Sequence, residues 1–302
     1  MRVTSTTISD ALSIQLQTLS SQQAQLQNQV TTGQRITDPS DDPAAMARVL
    51  SEETQKQQIQ QYQSNQGVAT QISQATSSSL NSLKTVSDRA GELAVLGTGV
   101  NSAQSDQAYA TELNQLIEQA LQTANTTNGS THLFAGTKTD TPPFTATRDA
   151  NGNITAVTYT GSATSAQMQT GEGSLVSPFT SGATNQQIGD FINNLVSLRN
   201  GLTNQDTTAV QTAQTGLQTS EDNILNAISG AGAVQSQLEA DGTQNTARFA
   251  SLDQLTSQDA NADLSQTVVK LQQTQTAYQA ALQSGAQIMQ LSLLNYLPTT
   301  LG

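Results

Sequence analysis

Along the first thirty or so residues the apolar positions recur at a fixed interval. Leu12, Leu16, Leu19, Gln23, Leu26 and Val30 are spaced alternately by four and three residues, and Gln23 is the one polar member. That spacing puts Leu12, Leu19 and Leu26 at one core position of a heptad, and Leu16, Gln23 and Val30 at the other. It predicts a helix over residues 9–32, roughly 35 Å long at the rise of an α-helix. The far end of the chain carries the same grid at Leu264, Val268, Leu271, Gln275, Tyr278, Leu282, Gly285 and Met289. Neither stripe has a partner within its own segment, and a lone helix of this length is marginal in water. The simplest arrangement pairs the two ends as an antiparallel coiled coil.

The last residues carry more apolar surface than such a pair needs. "QIMQLSLLNYLP" sets Leu291, Leu293, Leu294, Tyr296 and Leu297 on more than one side of a helix. A two-stranded coil buries one stripe, so the surplus predicts contact with other subunits. A C-terminal helix sunk in a globular core is the alternative. The low aromatic content of 3% leaves little material for a large core.

More helices lie between the ends. Residues 44–96 are nearly free of Gly and Pro, with Val68, Ile72, Thr76, Ser79, Leu83, Val86, Ala90 and Leu93 on helical spacing. A helix carrying Tyr109, Leu113, Leu116 and Ala120 on one face is expected to stop at Asn128-Gly129, a natural C-terminal cap. "NQQIGDFINNLVSLRNGL" reads as a shorter helix. From Val210 to Leu252 a long one follows, with Gly230 and Gly232 as candidate interruptions. In the middle the period changes to short alternating runs such as "NITAVTYTG", bounded by turn residues, which are strand and hairpin signals.

The expected fold class is therefore mainly α: a long coiled-coil helical rod built from both chain termini, with a small β-rich domain inserted in the middle. The expected order is a terminal helix and joint (1–42), a first part of the rod (43–131), an outward-facing β insert (132–185), a returning part of the rod (186–258) and a C-terminal helix (259–302).

Charge is concentrated at the joint between the first two helices, "TTGQRITDPSDDPAAMA", residues 31–47. Pro43 suits the first position of the second helix and Asp42 its N-cap, where a carboxylate accepts from orphan backbone N–H groups and meets the positive end of the dipole. Asp41 adds to that charge, and Arg35 is the nearby cation. A catalytic carboxylate pair is the rival reading, but paired-acid chemistry needs two carboxyls across a pocket rather than neighbours in a turn. The calcium-loop spacing is missing.

Composition narrows the chemistry further. A formal net charge of −12 argues against nucleic acid and anionic membranes as partners. Charged residues make up 11% of the chain, against roughly 25% in ordinary soluble domains. With no cysteine there is no disulfide or thiolate chemistry. His132 is the only histidine and is expected to pack at the base of the insert, beside Leu133 and Phe134. No cofactor, metal site or enzyme active site is expected. No apolar run is long enough to span a bilayer, and "MRVTSTTISDALS" has no pattern of a cleaved secretory signal.

The joint at 31–47 resembles that of flagellin-like proteins of the bacterial flagellum. "GSTHLFAGTKTDTPPF", residues 129–144, and "SQTVVKLQQTQTAYQAALQSGAQIMQLSLLNYL", residues 265–297, are similar to segments of the hook–filament junction members of that family. Val234 departs from the pattern, standing where many relatives carry arginine. The resemblance implies a structural adaptor that is exported unfolded by the flagellar type III apparatus, without a cleaved signal, and assembled outside the cell as a ring between hook and filament. The implied partners are copies of itself, the hook-side junction protein, flagellin and a cytoplasmic export chaperone. Flagellin itself is the alternative, sharing the joint and the terminal coil. An exported helical adhesin is a more distant one, and it predicts a membrane-inserting segment.

Overall fold

The computed structural model describes residues 5–99 and 102–296, and the surroundings of side chains 9–99 and 102–290. In chain order the elements are α1 (Ser5–Thr32), α2 (Pro43–Gly97), α3 (Ala103–Ala124), β1 (Thr127–Asn128), β2 (Thr131–His132), β3 (Phe144–Arg148), β4 (Ile154–Tyr159), β5 (Met168–Gly171), β6 (Ser174–Val176), α4 (Gly182–Thr203), α5 (Thr207–Ala260) and α6 (Leu264–Tyr296). The fold is thus mainly α, with long terminal helices and a small central region of strand pairs. The chain divides into two compact units, one of residues 1–57 with 249–302 and the other of residues 58–248. Helices α2 and α5 contribute to both.

The second unit holds the main core. Leu80, Leu83, Val86, Ala90 and Leu93 of α2 meet Leu113 and Ile117 of α3, Phe191, Ile192 and Leu195 of α4, and Val210, Leu217 and Ile224 of α5. Spacings of three and four within each helix keep these side chains on one face, and burial of that face rather than helix propensity holds them together. Helix α3 begins where Ser102 Oγ accepts from the Ser105 amide at 3.2 Å, and α4 where Ser181 Oγ accepts from the Thr184 amide at 3.1 Å.

The strands form three separate antiparallel pairs, β1–β2, β3–β4 and β5–β6. Helix α3 ends before the expected stop at Asn128-Gly129. Asn125 is its C-cap, and the Asn125 side chain bonds both backbone groups of Phe144, accepting at 3.0 Å and donating at 2.9 Å. Gly129, with φ +63, instead turns the β1–β2 pair. An Asn-Gly step suits either role, and here the neighbouring strands decide. His132 lies in β2 with Nδ1 3.1 Å from the Asn125 carbonyl, at the foot of the strand region. Val157 of β4 is fixed to α4 by a pair of bonds with the Asn193 amide, at 2.8 and 2.9 Å. The expected interruption of α5 at Gly230 and Gly232 is absent, since the helix runs unbroken through both.

Because Phe191 is wholly buried among α2, α3 and α5 side chains while Leu225 of α5 is 39% exposed, their truncations separate cleanly. Phe191→Ala is expected to lower the stability of the second unit by about 3–5 kcal/mol in urea denaturation. Leu225→Ala is expected to stay within about 0.5 kcal/mol of the parent chain. Comparable losses from both would contradict this placement of the core.

Candidate assembly and joint sites

In the first unit α1 packs along α6. The two run antiparallel: Gln34, just past α1, bridges to Asn261, just before α6, and far along the pair Leu12 lies against Gly285. All six expected seam positions of α1 (Leu12, Leu16, Leu19, Gln23, Leu26 and Val30) are half-buried, and most residues between them are exposed.

On α6 the covered side differs from the expected one. It consists of Thr267, Leu271, Thr274, Gln275, Tyr278, Ala281 and Gly285. Leu271, Gln275, Tyr278 and Gly285 belong to both stripes. Leu264, Val268, Leu282 and Met289 do not face α1 and stay 49, 39, 46 and 55% exposed. A Cβ at Gly285 would come within 2.4 Å of Leu12 Cδ2, so Leu12 seats where α6 carries no side chain. Leu264, Val268, Leu282 and Met289 form a second stripe alongside, while Val269 and Ile288 are exposed on other sides of the helix. Leu293 and Leu294 are part of α6, but their side chains fall outside the described residues, as does Leu297 altogether. Across both helices only Asp10 and Lys270 are charged. The flanks are Gln, Ser and Thr, which impose little repulsion on a neighbour of the same kind.

The joint between α1 and α2 is closed by named bonds. Asp42 caps α2, its Oδ1 accepting from the Ala45 amide at 3.0 Å, while Arg35 Nη1 donates to its Oδ2 at 3.2 Å. Pro43 is the first residue of the helix, as expected. Asp41 does a different job from the one expected. Its Oδ2 accepts from the amides of Thr37 and Asp38, at 3.0 and 3.1 Å, and its Oδ1 from Gln25 of α1 at 3.3 Å, so it ties the turn to the first helix. The C-terminal half of the chain completes the joint. Arg48 holds Asp259 through two bonds of 2.7 and 2.8 Å, and Arg35 Nη2 donates to the Asp259 carbonyl at 2.7 Å. Backbone bonds run from the Arg35 amide to the Ala260 carbonyl and from the Ala262 amide to the Gly33 carbonyl. Periodicity gave no sign of Arg48 and Asp259, and neither residue lies in a motif.

All three carboxylates are held below their ordinary pKa. The Ala45 amide does this for Asp42, helped by Arg35; the amides of Asp38 and Thr37 do it for Asp41; Arg48 does it for Asp259. These groups sit at the surface; Asp41 and Asp42 accept from backbone amides and Asp259 from the Arg48 guanidinium, so they are positioned to hold a turn. Among the described residues no group of three or more His, Asp or Glu is placed to hold a metal ion. No described helix is long and apolar enough to cross a membrane.

Long terminal helices packed on each other through a capped joint, with short strand pairs in the middle of the chain, define a mainly α fold. Residues 4–139 match the family of the bacterial flagellin N-terminal helical region. It is similar to the Flagellar hook-associated protein 3 of Escherichia coli K12, 36% identical over 118 residues, or 38% of this chain and 37% of that protein. The protein of the same name in Salmonella typhimurium LT2 is 35% identical over 136 residues, 44% of this chain and 43% of that protein. The chain thus matches about two fifths of the length of these relatives. A Vibrio parahaemolyticus structure, provisionally designated a flagellar hook-associated protein, shares the fold with a TM-score of 0.64 at 19% identity, over 73% of this chain and all of that one.

The lowered carboxylates give the joint a pH dependence. Each folded-state pKa lies below the unfolded value, so the stabilisation is complete above the ordinary carboxylate range of about 4 and is lost as pH falls through the depressed values. The amides of Thr37, Asp38 and Ala45, which donate to these carboxylates, are expected to lose hydrogen-exchange protection on acidification from about pH 6 to below about pH 3. Protection unchanged over that range, after correction for intrinsic exchange, would contradict the capping role.

Proposed function

We propose that this protein is a non-enzymatic structural adaptor at the hook–filament junction of the bacterial flagellum, working by self-assembly through its terminal helices. The observation that carries this reading is the second apolar stripe of α6. Leu264, Val268, Leu282 and Met289 lie beside the covered side of α6 and remain exposed. Nine of the fourteen large apolar side chains exposed among the described residues belong to the first unit, which therefore carries most of the surface that asks for company. Sister copies are the simplest cover, with neutral flanks that let them approach.

The relatives' shared designation as hook-associated proteins supports the place of assembly. Copies of this chain contact one another, with the hook-side junction protein on one side and flagellin on the other. Before export a cytoplasmic chaperone covers the apolar stripes. Export proceeds without a cleaved signal, and the absence of cysteine suits a chain that travels unfolded. Within this reading the seam residues from Leu12 to Val30 and the flanking α6 stripe are the assembly surface, Leu293, Leu294 and Leu297 extend it, and Arg35, Asp41, Asp42 and Pro43 fix the chain's course between the terminal and second helices.

Deleting the gene is expected to leave cells with complete hooks, no filaments and unpolymerised flagellin in the medium, as seen by electron microscopy and analysis of the medium. Normal filaments would overturn the junction role. Growth of long filaments by the purified chain alone would favour flagellin itself. A finer test is the pair Leu282→Ser and Met289→Ser. It is expected to abolish incorporation into the flagellum while leaving the unfolding of the second unit within about 0.5 kcal/mol, and undiminished incorporation would remove the α6 stripe from the interface.

A further inference from the structure

Helix α5 passes through Gly230, Ala231 and Gly232 without a break, and packing calls for neither glycine. A Cβ at either position would meet nothing within 4 Å. Each interior glycine nevertheless weakens a helix locally by about five-fold relative to alanine. Three further features meet at this level of the second unit. The main core reaches it with Ile72 of α2 and Ala231 of α5; beyond it Ala69, Val176 and Leu238 form a separate small cluster, and Met168 packs against both. A cavity of about 390 Å³ opens beside the glycines, with Thr76, Phe179, Asn223, Ala231 and Val234 in its wall. The Thr76 side chain is buried there, and its hydroxyl oxygen has no hydrogen-bond partner. Most helical threonines in this chain bond back to the carbonyl four residues earlier, as Thr70 does to Gln66 at 2.8 Å.

On either side of this level the packing is tight. One side is the four-helix core described above. On the other, the β5–β6 hairpin clamps α2 to α5. Asp241 accepts from Thr170 and Ser174, Asn245 donates to the Thr170 carbonyl at 2.7 Å, and Gln169 donates to the Tyr62 hydroxyl at 3.2 Å. Gln66 of α2 also donates directly to the Leu238 carbonyl of α5, at 2.7 Å.

We propose that residues 230–232 of α5, opposite Thr76 of α2, form a bending hinge inside the second unit. The clamped end and the core end move as two rigid bodies. Bending into the cavity covers its wall, including half-buried Phe179 and Ala227, and this offsets the loosening of backbone bonds at the glycines. Between two well-packed bodies the helix pair yields where core contacts are fewest and the backbone is least constrained. The hinge concerns this chain alone and stands whether or not the assembly reading does.

The absence of native cysteine makes the test direct. Spin labels at Gln218→Cys and Thr246→Cys, two exposed sites on α5 either side of the glycines, span about 40 Å of helix. In the dilute full chain their distance distribution is expected to be broad and to narrow when Gly230→Ala and Gly232→Ala are introduced together. The control is Gly91→Ala, another helical glycine whose Cβ would meet nothing within 4 Å, but which sits where the core is continuous, and it is expected to change nothing. Amide exchange over residues 228–236 is expected to slow about five-fold for each glycine replaced there. Equal widths with and without the two alanines, or the same narrowing from the Gly91 control, would overturn the hinge.

Discussion

The leucine ridge of α1 seated on the shallow side of α6 is the contact from which the rest of the terminal region follows. Gly285 lets Leu12 sit close, and the covered side of α6 alternates small residues such as Ala281, Thr274 and Thr267 with Leu271 and Tyr278. The large α6 residues are displaced onto the neighbouring flank. Had the α6 side chains been the bulky partner, the pair would have satisfied itself as an ordinary two-stranded coil. Instead the geometry leaves an apolar flank on a helix with almost no charge.

The joint supplies the second constraint. A helix pair drawn from opposite ends of a chain loses considerable entropy on closing so long a loop, and its register needs fixing by something other than a periodic stripe. Arg48 with Asp259, and Arg35 with both Asp42 and the Asp259 carbonyl, fix it at one point near the ends of α1 and α5. Exposed ion pairs contribute little stability one at a time. Their value here is geometric, since they coincide with two backbone bonds and a helix cap that admit one register.

Much of this was legible from the residues alone. The α1 seam could be read position by position, because one stripe of leucines on a polar helix has one solution. The Asp42–Pro43 cap was legible from local chemistry. The α6 face was legible only in part, because two overlapping stripes share Leu271, Gln275, Tyr278 and Gly285, and periodicity cannot say which one meets α1. Arg48 and Asp259 pair across the fold, and nothing near either residue announces the other. Arg199 was missed for a similar reason. It is buried in α4 and donates to Asn114 and to the Ile154 carbonyl, binding α3, α4 and β4 together, a role that spacing does not encode. The end of α3 depended on a contact with Phe144 that local turn propensity does not contain.

Reactivity of a single introduced thiol addresses the central point most directly. In a chain otherwise free of cysteine, Leu282→Cys places the sulfur on the exposed flank and Ala281→Cys places it against α1. Covering of the flank by sister molecules predicts that the thiol at 282 reacts freely in the dilute chain and becomes protected in the assembled structure, while the one at 281 is shielded in both. A thiol at 282 as reactive in the assembly as in the dilute chain would contradict it.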